Sequence, residues 1–172
     1  MTRYCINCAT ALLPRVIERL ERQVCPNCDF TLWGDPKVAV NVIIEADGKL
    51  LLGRRTIEPG LGLWGLPGGY VDLDEAPAAT AVRECHEEIL AAVDIESLVG
   101  VFHVPKGNRE SSIVTISYAA HLAAGHSALC GPEFSQIAWF DPADLPQMAF
   151  ESHCKAIDRW SDSVRAGRPA DG

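Results

Sequence analysis

Residues 69–91 read GYVDLDEAPAATAVRECHEEILA, and both the fold and the chemistry turn on this stretch. Glu84, Glu87 and Glu88 follow Arg83 at i, i+3 and i+4, which gathers three carboxylates on adjacent turns of a helix. Like charges that close weaken a helix unless a cation lies among them. An all-oxygen donor set favours a hard divalent ion, Mg²⁺ or Mn²⁺, which keeps several waters and recruits substrate phosphates. Asp74 is placed to cap the helix, and Pro77 falls in the first turn, where its missing N–H costs little. Ala78, Ala81, Val82, Cys85 and Ile89 recur at helical spacing as an apolar stripe, with the glutamates roughly 100° or more away around the wheel. Alone, Glu-x-x-Glu-Glu is more often a solvated acidic face than a metal site. Its surroundings decide between the two.

Those surroundings resemble the Nudix box, Gly-x5-Glu-x7-Arg-Glu-U-x-Glu-Glu-x-Gly-U with U apolar. Gly69, Glu75, Arg83, Glu84, Cys85, Glu87, Glu88 and Ala91 fill their places, and Leu90 stands where the family has Gly. That Gly commonly ends the helix in a left-handed conformation, which Leu resists, so an altered helix exit is expected. The resemblance implies an α/β/α sandwich around a mixed sheet and hydrolysis of a nucleoside diphosphate linked to another group. It further implies that Glu84, Glu87 and Glu88 bind the metal and that Arg83 orients them, with Glu75 as the earlier acidic position. A metal held there would neutralise phosphate oxygens and acidify water. Gly69, at the loop-to-helix junction, can add its carbonyl as a ligand because no side chain obstructs approach.

The 172 residues suit one main domain plus a small appendage, and 48% apolar content suits a globular core. A net charge of −8 disfavours a general nucleic-acid binder, and an anionic substrate then needs local help from metal and a few Arg or Lys. No apolar run approaches the ~20 residues of a membrane span and no signal-peptide pattern opens the chain, so a cytoplasmic protein is expected. Of the 7 cysteines, Cys5-x2-Cys8 and Cys25-x2-Cys28 have the spacing of a four-thiolate structural Zn²⁺ site. Two disulfides in an exported protein are the alternative. Cys85 reads as a small apolar packer.

Residues 1–33 read as a zinc ribbon whose charged middle (Arg15, Glu18, Arg19, Glu21, Arg22) needs metal to hold it. Gly34-Asp35-Pro36 marks a boundary, 36–165 the catalytic domain and 166–172 a flexible tail. Val38–Ile44 reads as a buried strand and Asp47-Gly48 as a hairpin turn into Leu50–Leu52. Residues 56–68 are loop-like. Strands are expected at 97–104, 113–122 and 137–140, a turn of helix at 142–145 and a closing helix at 150–164.

Glu133 is the available loop candidate for a general base beside its reading as a plain charged loop residue. Gln136 stands where related patterns often carry a glutamate and cannot serve as a base. Arg54 and Arg55 are candidates for phosphate contact, and strand alternation lets only one face a cleft. Lys106 and Arg109 are weaker candidates. His86, His103, His121, His126 and His153 lack ligand spacing and read as structural or solvent-facing. Trp64 and Trp139 are more often packers than base-stacking platforms. No Gly-x-Ser-x-Gly or P-loop pattern is present.

Ribbon plus box resembles an ADP-ribose or FAD pyrophosphatase group, through Asp35-Pro-Lys-Val, Leu51-Leu-Gly-Arg-Arg, Glu58-Pro-Gly, Leu63-Trp-Gly-Leu-Pro-Gly-Gly-Tyr, Phe102-His-Val-Pro and Ala149-Phe. NADH pyrophosphatases share the ribbon, but their Ser-Gln-Pro-Trp-Pro-Phe-Pro-like segment has no match in 92–150. NADH or another dinucleotide is thus the alternative substrate, and a non-catalytic nucleotide-sensing module the alternative class. Membrane and nucleic-acid partners are not expected; a homodimer is implied only by relatives.

Overall fold

The computed structural model describes residues 2–105 and 112–167, so Lys106, Arg109 and all but the first two residues of the expected tail lie outside the described residues. The chain divides into two compact units, Met1–Asp35 and Pro36–Gly172.

In the first unit, β1 (Leu13–Ile17), β2 (Leu20–Val24) and β3 (Thr31–Leu32) form an antiparallel sheet in that order. Two matching turns flank it. Ala9 N–H donates to Cys5 O and Asp29 N–H to Cys25 O, and both Ala9 and Asp29 take positive φ directly after the second cysteine of each pair. Among the described residues of this unit only Cys5, Leu12 and Cys25 form a buried apolar cluster, too little to hold a unit this small without a staple.

The second unit is an α/β fold. A mixed sheet runs β6-β5-β4-β8-β7, with β9 also paired to β5. Its strands are β4 (Lys37–Ala46), β5 (Lys49–Arg55), β6 (Trp64–Gly65), β7 (Val93–Pro105), β8 (Ser112–Leu122) and β9 (Phe134–Phe140). β4 and β8 are parallel; β7–β8, β4–β5, β5–β6 and β5–β9 are antiparallel. Alternation on β4 sends Val40, Val42 and Ile44 to one face and Ile43 to the other. The first face packs on helix α1 (Pro77–Ile89) through Ala81, Cys85 and Ile89, and the second on helix α2 (Glu151–Arg165) through Ala156 and Ile157. One helix on each face makes the α/β/α sandwich.

Three local expectations are corrected. Asp74 does not cap α1: it has φ 65°, and Ala76 occupies the cap position with no side-chain hydrogen bond while Pro77 opens the helix. Residues 142–145 are not helical; the Asp141 carboxylate accepts the Ala143 N–H at 2.8 Å and closes a turn instead. The stretch 56–68 is not all loop, because Trp64–Gly65 pairs with β5 as β6.

No helix among the described residues is long and apolar enough to cross a membrane.

Candidate active site

β4 and β5 pair only next to their hairpin, at Glu45↔Leu50 and Ala46↔Lys49. Residues 66–71 hydrogen-bond to the β4 edge farther along the strand. Pro67 O accepts the Val42 N–H, Gly69 O accepts the Val40 N–H, and Val71 N–H donates to Val38 O, at 2.8–3.0 Å. Gly68 is required there: its φ is +149°, and a Cβ would lie 2.2 Å from Val40 O. The insertion delivers Gly69 to the start of the segment that leads into α1.

The three box glutamates are graded in exposure. Glu87 is open to solvent, Glu84 is mostly covered and Glu88 is 2% exposed, on the packed face with Thr80. This overturns the separation of a metal face from a packing face. Ala78 and Val82 of the expected stripe are exposed, and Thr80 and Glu88 take their places inside.

Arg83 organises the polar groups. Its Nε and Nη2 clasp the two Glu75 oxygens at 3.0 Å each, Nη1 reaches Glu84 at 2.9 Å and Glu87 at 3.2 Å, and Nη2 also reaches Tyr70 O at 3.3 Å. The Arg83 hydrogen bonds, with one from the Thr80 hydroxyl, hold the Glu75 carboxyl down at about 2. Burial pushes Glu84 above the usual carboxylate range against the pull of Arg83. Burial likewise pushes Glu88 up to about 8; the Gly68 N–H, 2.8 Å from its Oε2, opposes this, while Glu84 and Glu133 add to it.

Arg83, shared with Glu75, and Arg55, which acts on Glu88, leave Glu84, Glu87, Glu88 and Glu133 short of positive charge. The donors are all oxygen. The donor chemistry suits a hard divalent cation, but among the described residues only the four cysteines of the first unit, and not these carboxylates, have ligand atoms within 4.8 Å of one another. Gly69 O already accepts the Val40 N–H, and its second lone pair remains for a ligand. Gly69 also lies against Glu84, where a Cβ would come 2.3 Å from Oε1.

A cleft of about 590 Å³ is lined by Arg55, Gly68, Gly69, Arg83, Glu84 and Glu133 together with Thr115, Phe150 and His153, while Glu87 and Glu88 are not part of its lining. Arg55 donates through Nε to Pro59 O at 2.9 Å and lies 5.1 Å over the Phe150 ring. Arg54 turns elsewhere, bonding Gly62 O, and shares its face with Gln136, its cross-strand partner. Neither borders the cleft. Trp64 packs edge-on against Phe140 at 4.8 Å, and Trp139 lies outside the cleft. His153 borders the cleft although its sequence spacing gave no sign of this. The available signal was its place on the inward stripe of α2 with Ala156 and Ile157.

Leu90 ends α1 in the left-handed region, at φ 51° and ψ 32°. The helix stops where a Gly would have stopped it, because neighbouring backbone takes its last carbonyls. Leu129 N–H donates to Ile89 O at 2.8 Å and Gly131 N–H to Glu88 O at 2.9 Å.

In the first unit, the sulfurs of Cys5, Cys8, Cys25 and Cys28 lie within 4.8 Å of one another, with close pairs at 3.5–3.7 Å. A tetrahedron with metal–sulfur bonds of about 2.3 Å has edges of about 3.8 Å. The cluster fits a zinc ribbon. Cys85 is buried in the α1 core.

Comparison with known proteins places these features. The family model described as "NUDIX domain" matches residues 35–160. An ADP-ribose pyrophosphatase of Methanocaldococcus jannaschii is 33% identical over 136 residues, covering 77% of this chain and 79% of that protein. A CTP pyrophosphohydrolase of Escherichia coli K12 is 32% identical over 133 residues, covering 77% and 96%. The crystal structure of a NUDIX hydrolase from Nitrosomonas europaea superposes with a TM-score of 0.84 at 30% identity, over 99% of this chain and 96% of that one.

Proposed function

The chain belongs to the NUDIX domain family and is a pyrophosphohydrolase of that family, and from this premise we propose that it hydrolyses the diphosphate bridge of ADP-ribose or FAD. Water adds across the phosphoanhydride and AMP leaves with ribose 5-phosphate or FMN. One observation carries the reading: a single cleft joins Glu84 of α1 and Glu133 to Arg83 and Arg55, and its remaining lining includes uncharged residues (Val104, Ile113, Thr115, Phe150) suited to the rest of a dinucleotide.

Glu84, Glu87, Glu88 and the Gly69 carbonyl would hold Mg²⁺ or Mn²⁺, which when bound neutralises phosphate oxygens and acidifies water. The protein's own groups do the remainder. Arg83 fixes the directions of Glu84 and Glu87, and its two bonds to Glu75 fix Arg83 in turn. The Gly68 N–H fixes Glu88. Arg55, held against Phe150 and Pro59, keeps its Nη groups for phosphate oxygens. Glu133 borders the cleft close enough to raise both Glu84 and Glu88, and takes the proton of the attacking water. Cys5, Cys8, Cys25 and Cys28 hold one structural Zn²⁺, four thiolates leaving no open position for catalysis.

A second reading, a nucleoside triphosphate as substrate, draws support from the similar identity to the relative named CTP pyrophosphohydrolase. Product analysis over ADP-ribose, FAD, NADH and CTP in Mg²⁺ separates the readings. AMP from ADP-ribose or FAD is expected. CMP and pyrophosphate from CTP alone would move the substrate, and ADP-ribose binding with no turnover of any of them would refute catalysis. Glu87→Gln, on an exposed side chain, should lose most turnover while the chain stays folded.

A further inference from the structure

Thr56 follows directly on β5, is exposed, and is not part of the cleft's lining, although its neighbours Arg55 and Ile57 both are. An exposed hydroxyl ordinarily bonds to water. This one donates to Glu133 O at 2.8 Å, and the Thr56 N–H donates to the same oxygen at 3.0 Å. One residue thus occupies both lone pairs of a carbonyl 77 positions away.

The meeting of Thr56 with Glu133 depends on an irregularity in the β5–β9 ladder. Leu50 to Arg54 pair in order with Phe140 to Gln136, and Arg55 then pairs with Phe134, so Ser135 is an extra residue on β9. A regular ladder would set Thr56 opposite Phe134, and the bulge sets it opposite Glu133. Ser135 Oγ donates to Arg54 O at 3.3 Å within the bulge, and the Phe134 ring packs on Gly53, where no Cβ would fit. At the other end of the same planar peptide, Phe134 N–H donates to Gly131 O at 3.3 Å, and Gly131 N–H donates to Glu88 O at 2.9 Å. The Glu133–Phe134 peptide is therefore held at its oxygen by Thr56 and at its nitrogen by a residue bonded to α1. From that fixed backbone the Glu133 side chain borders the cleft, close enough to act on Glu84 and Glu88.

We propose that Thr56 is a positioning residue, whose hydroxyl sets where the Glu133 carboxylate stands in the cleft by fixing the Glu133 carbonyl. This rests on the reading of Glu133 as the group that takes the proton of the attacking water. Thr56 lies outside the cleft and acts only through Glu133.

Thr56→Val removes the hydroxyl while keeping the N–H and nearly the same shape, and Thr56→Ser keeps both donors. Both are made in the full chain, and Thr56→Val also in a Glu133→Gln background, with kcat and KM for ADP-ribose measured in saturating Mg²⁺. Glu133→Gln alone scores the base reading, with an expected loss of roughly 100-fold or more in kcat. Given that loss, Thr56→Val should lower kcat roughly 3- to 10-fold, as for one hydrogen bond, with KM unchanged. Thr56→Ser should stay within about 2-fold of wild type. Thr56→Val should cost nothing further once residue 133 is Gln, because its effect passes through that carboxylate. A wild-type kcat for Thr56→Val, an equal loss in Thr56→Ser, or the full loss repeated on Glu133→Gln would overturn the assignment. Hydrogen exchange over residues 131–135 reads the same bond without turnover. Thr56→Val should speed exchange there by a similar factor, and unchanged exchange would overturn the assignment as well. Wild-type turnover by Glu133→Gln, or no turnover by the unaltered chain, refutes the base reading instead, and the exchange result then decides Thr56 by itself.

Discussion

Gly69→Ala is the sharpest test of how the site is held, because the structure assigns the clash to one side chain. A Cβ at 69 would lie 2.3 Å from Glu84 Oε1, 2.5 Å from its Cδ and 2.8 Å from Oε2. Ordinary contact begins at 3.4 Å, so the carboxylate must retreat by about 1 Å, a displacement that costs about 100-fold when it misplaces a catalytic group. The clashing atoms are the end of a rotatable chain, and Gly69 is not in the left-handed region, so the backbone need not move. Gly68→Ala is the control. Its Cβ meets Val40 O at 2.2 Å and the Asn41 Cα at 2.7 Å, and its φ of +149° is strained for any L side chain. Thermal melts and initial rates of AMP release from ADP-ribose in saturating Mg²⁺ read both properties. Gly69→Ala should melt within about 3 °C of wild type, a stability change below about 1 kcal/mol, while kcat/KM falls about 100-fold. Gly68→Ala should lose the fold. Wild-type turnover by Gly69→Ala would refute the claim that Glu84 acts from beside Gly69.

Acid should destabilise the chain through His153. Its folded pKa is about 3 against about 6.5 when unfolded, so the unfolded chain takes the proton first. The neutral-His stability is intact above pH ~6.5 and declines by up to about 1.4 kcal/mol per pH unit as pH falls from there toward 3. Urea midpoints between pH 7 and 4.5 should fall more steeply for wild type than for His153→Asn, and parallel profiles would contradict the burial of a neutral ring. Ser117→Ala removes a fully buried hydroxyl with no partner among the described residues, so it should raise stability by about 1 kcal/mol; a marked loss would mean that the hydroxyl is satisfied. Stripping metal with a strong chelator should release one zinc and expose the amides of residues 13–32 to hydrogen exchange. Full protection without zinc would sink the ribbon assignment.

What the sequence revealed, and what it hid, follows from how locally each feature is determined. β4 was legible because a strand packed between α1 and α2 reads as a continuous apolar run. The Asp47-Gly48 turn was legible because φ 51° and 76° are what those residue types tolerate. The cysteine pairs were legible because metal geometry sets their spacing. Asp74 misled because its neighbours draw the chain elsewhere: Glu75 reaches back to the Asp72 N–H and forward to Thr80 and Arg83. β6 was invisible because two residues make no pattern, and it exists only through pairing with β5. Arg55 was legible as a candidate for phosphate contact, but its place beside His153 was hidden for a similar reason. Their shared cleft joins α2, β5 and the 57–59 segment, residues about a hundred positions apart.

The place of Glu88 explains why the acidic helix face and the packed face cannot be separate. A carboxylate inside the core would ordinarily destabilise the fold, and its pKa near 8 records that cost. The surrounding backbone answers it at Glu88 itself, in the last turn of the helix. Gly68 N–H binds the carboxylate, and Gly131 N–H binds the carbonyl of Glu88 itself. Both donors are glycines against which backbone packs too closely for a Cβ, Gly68 on Val40 and Gly131 on the Glu87 carbonyl at 2.3 Å. Helix α1 is thus clamped by two glycine segments. One carries Gly69, which lies against Glu84, and the other leads to Glu133, which acts on Glu84 and Glu88. The same clamp explains the tolerance of Leu90. With the carbonyls of Glu88 and Ile89 taken by the second segment, the helix ends by tertiary hydrogen bonding, and the left-handed residue follows from that ending instead of causing it. The family's glycine can be lost at position 90 because the glycine that matters for this helix end is at 131.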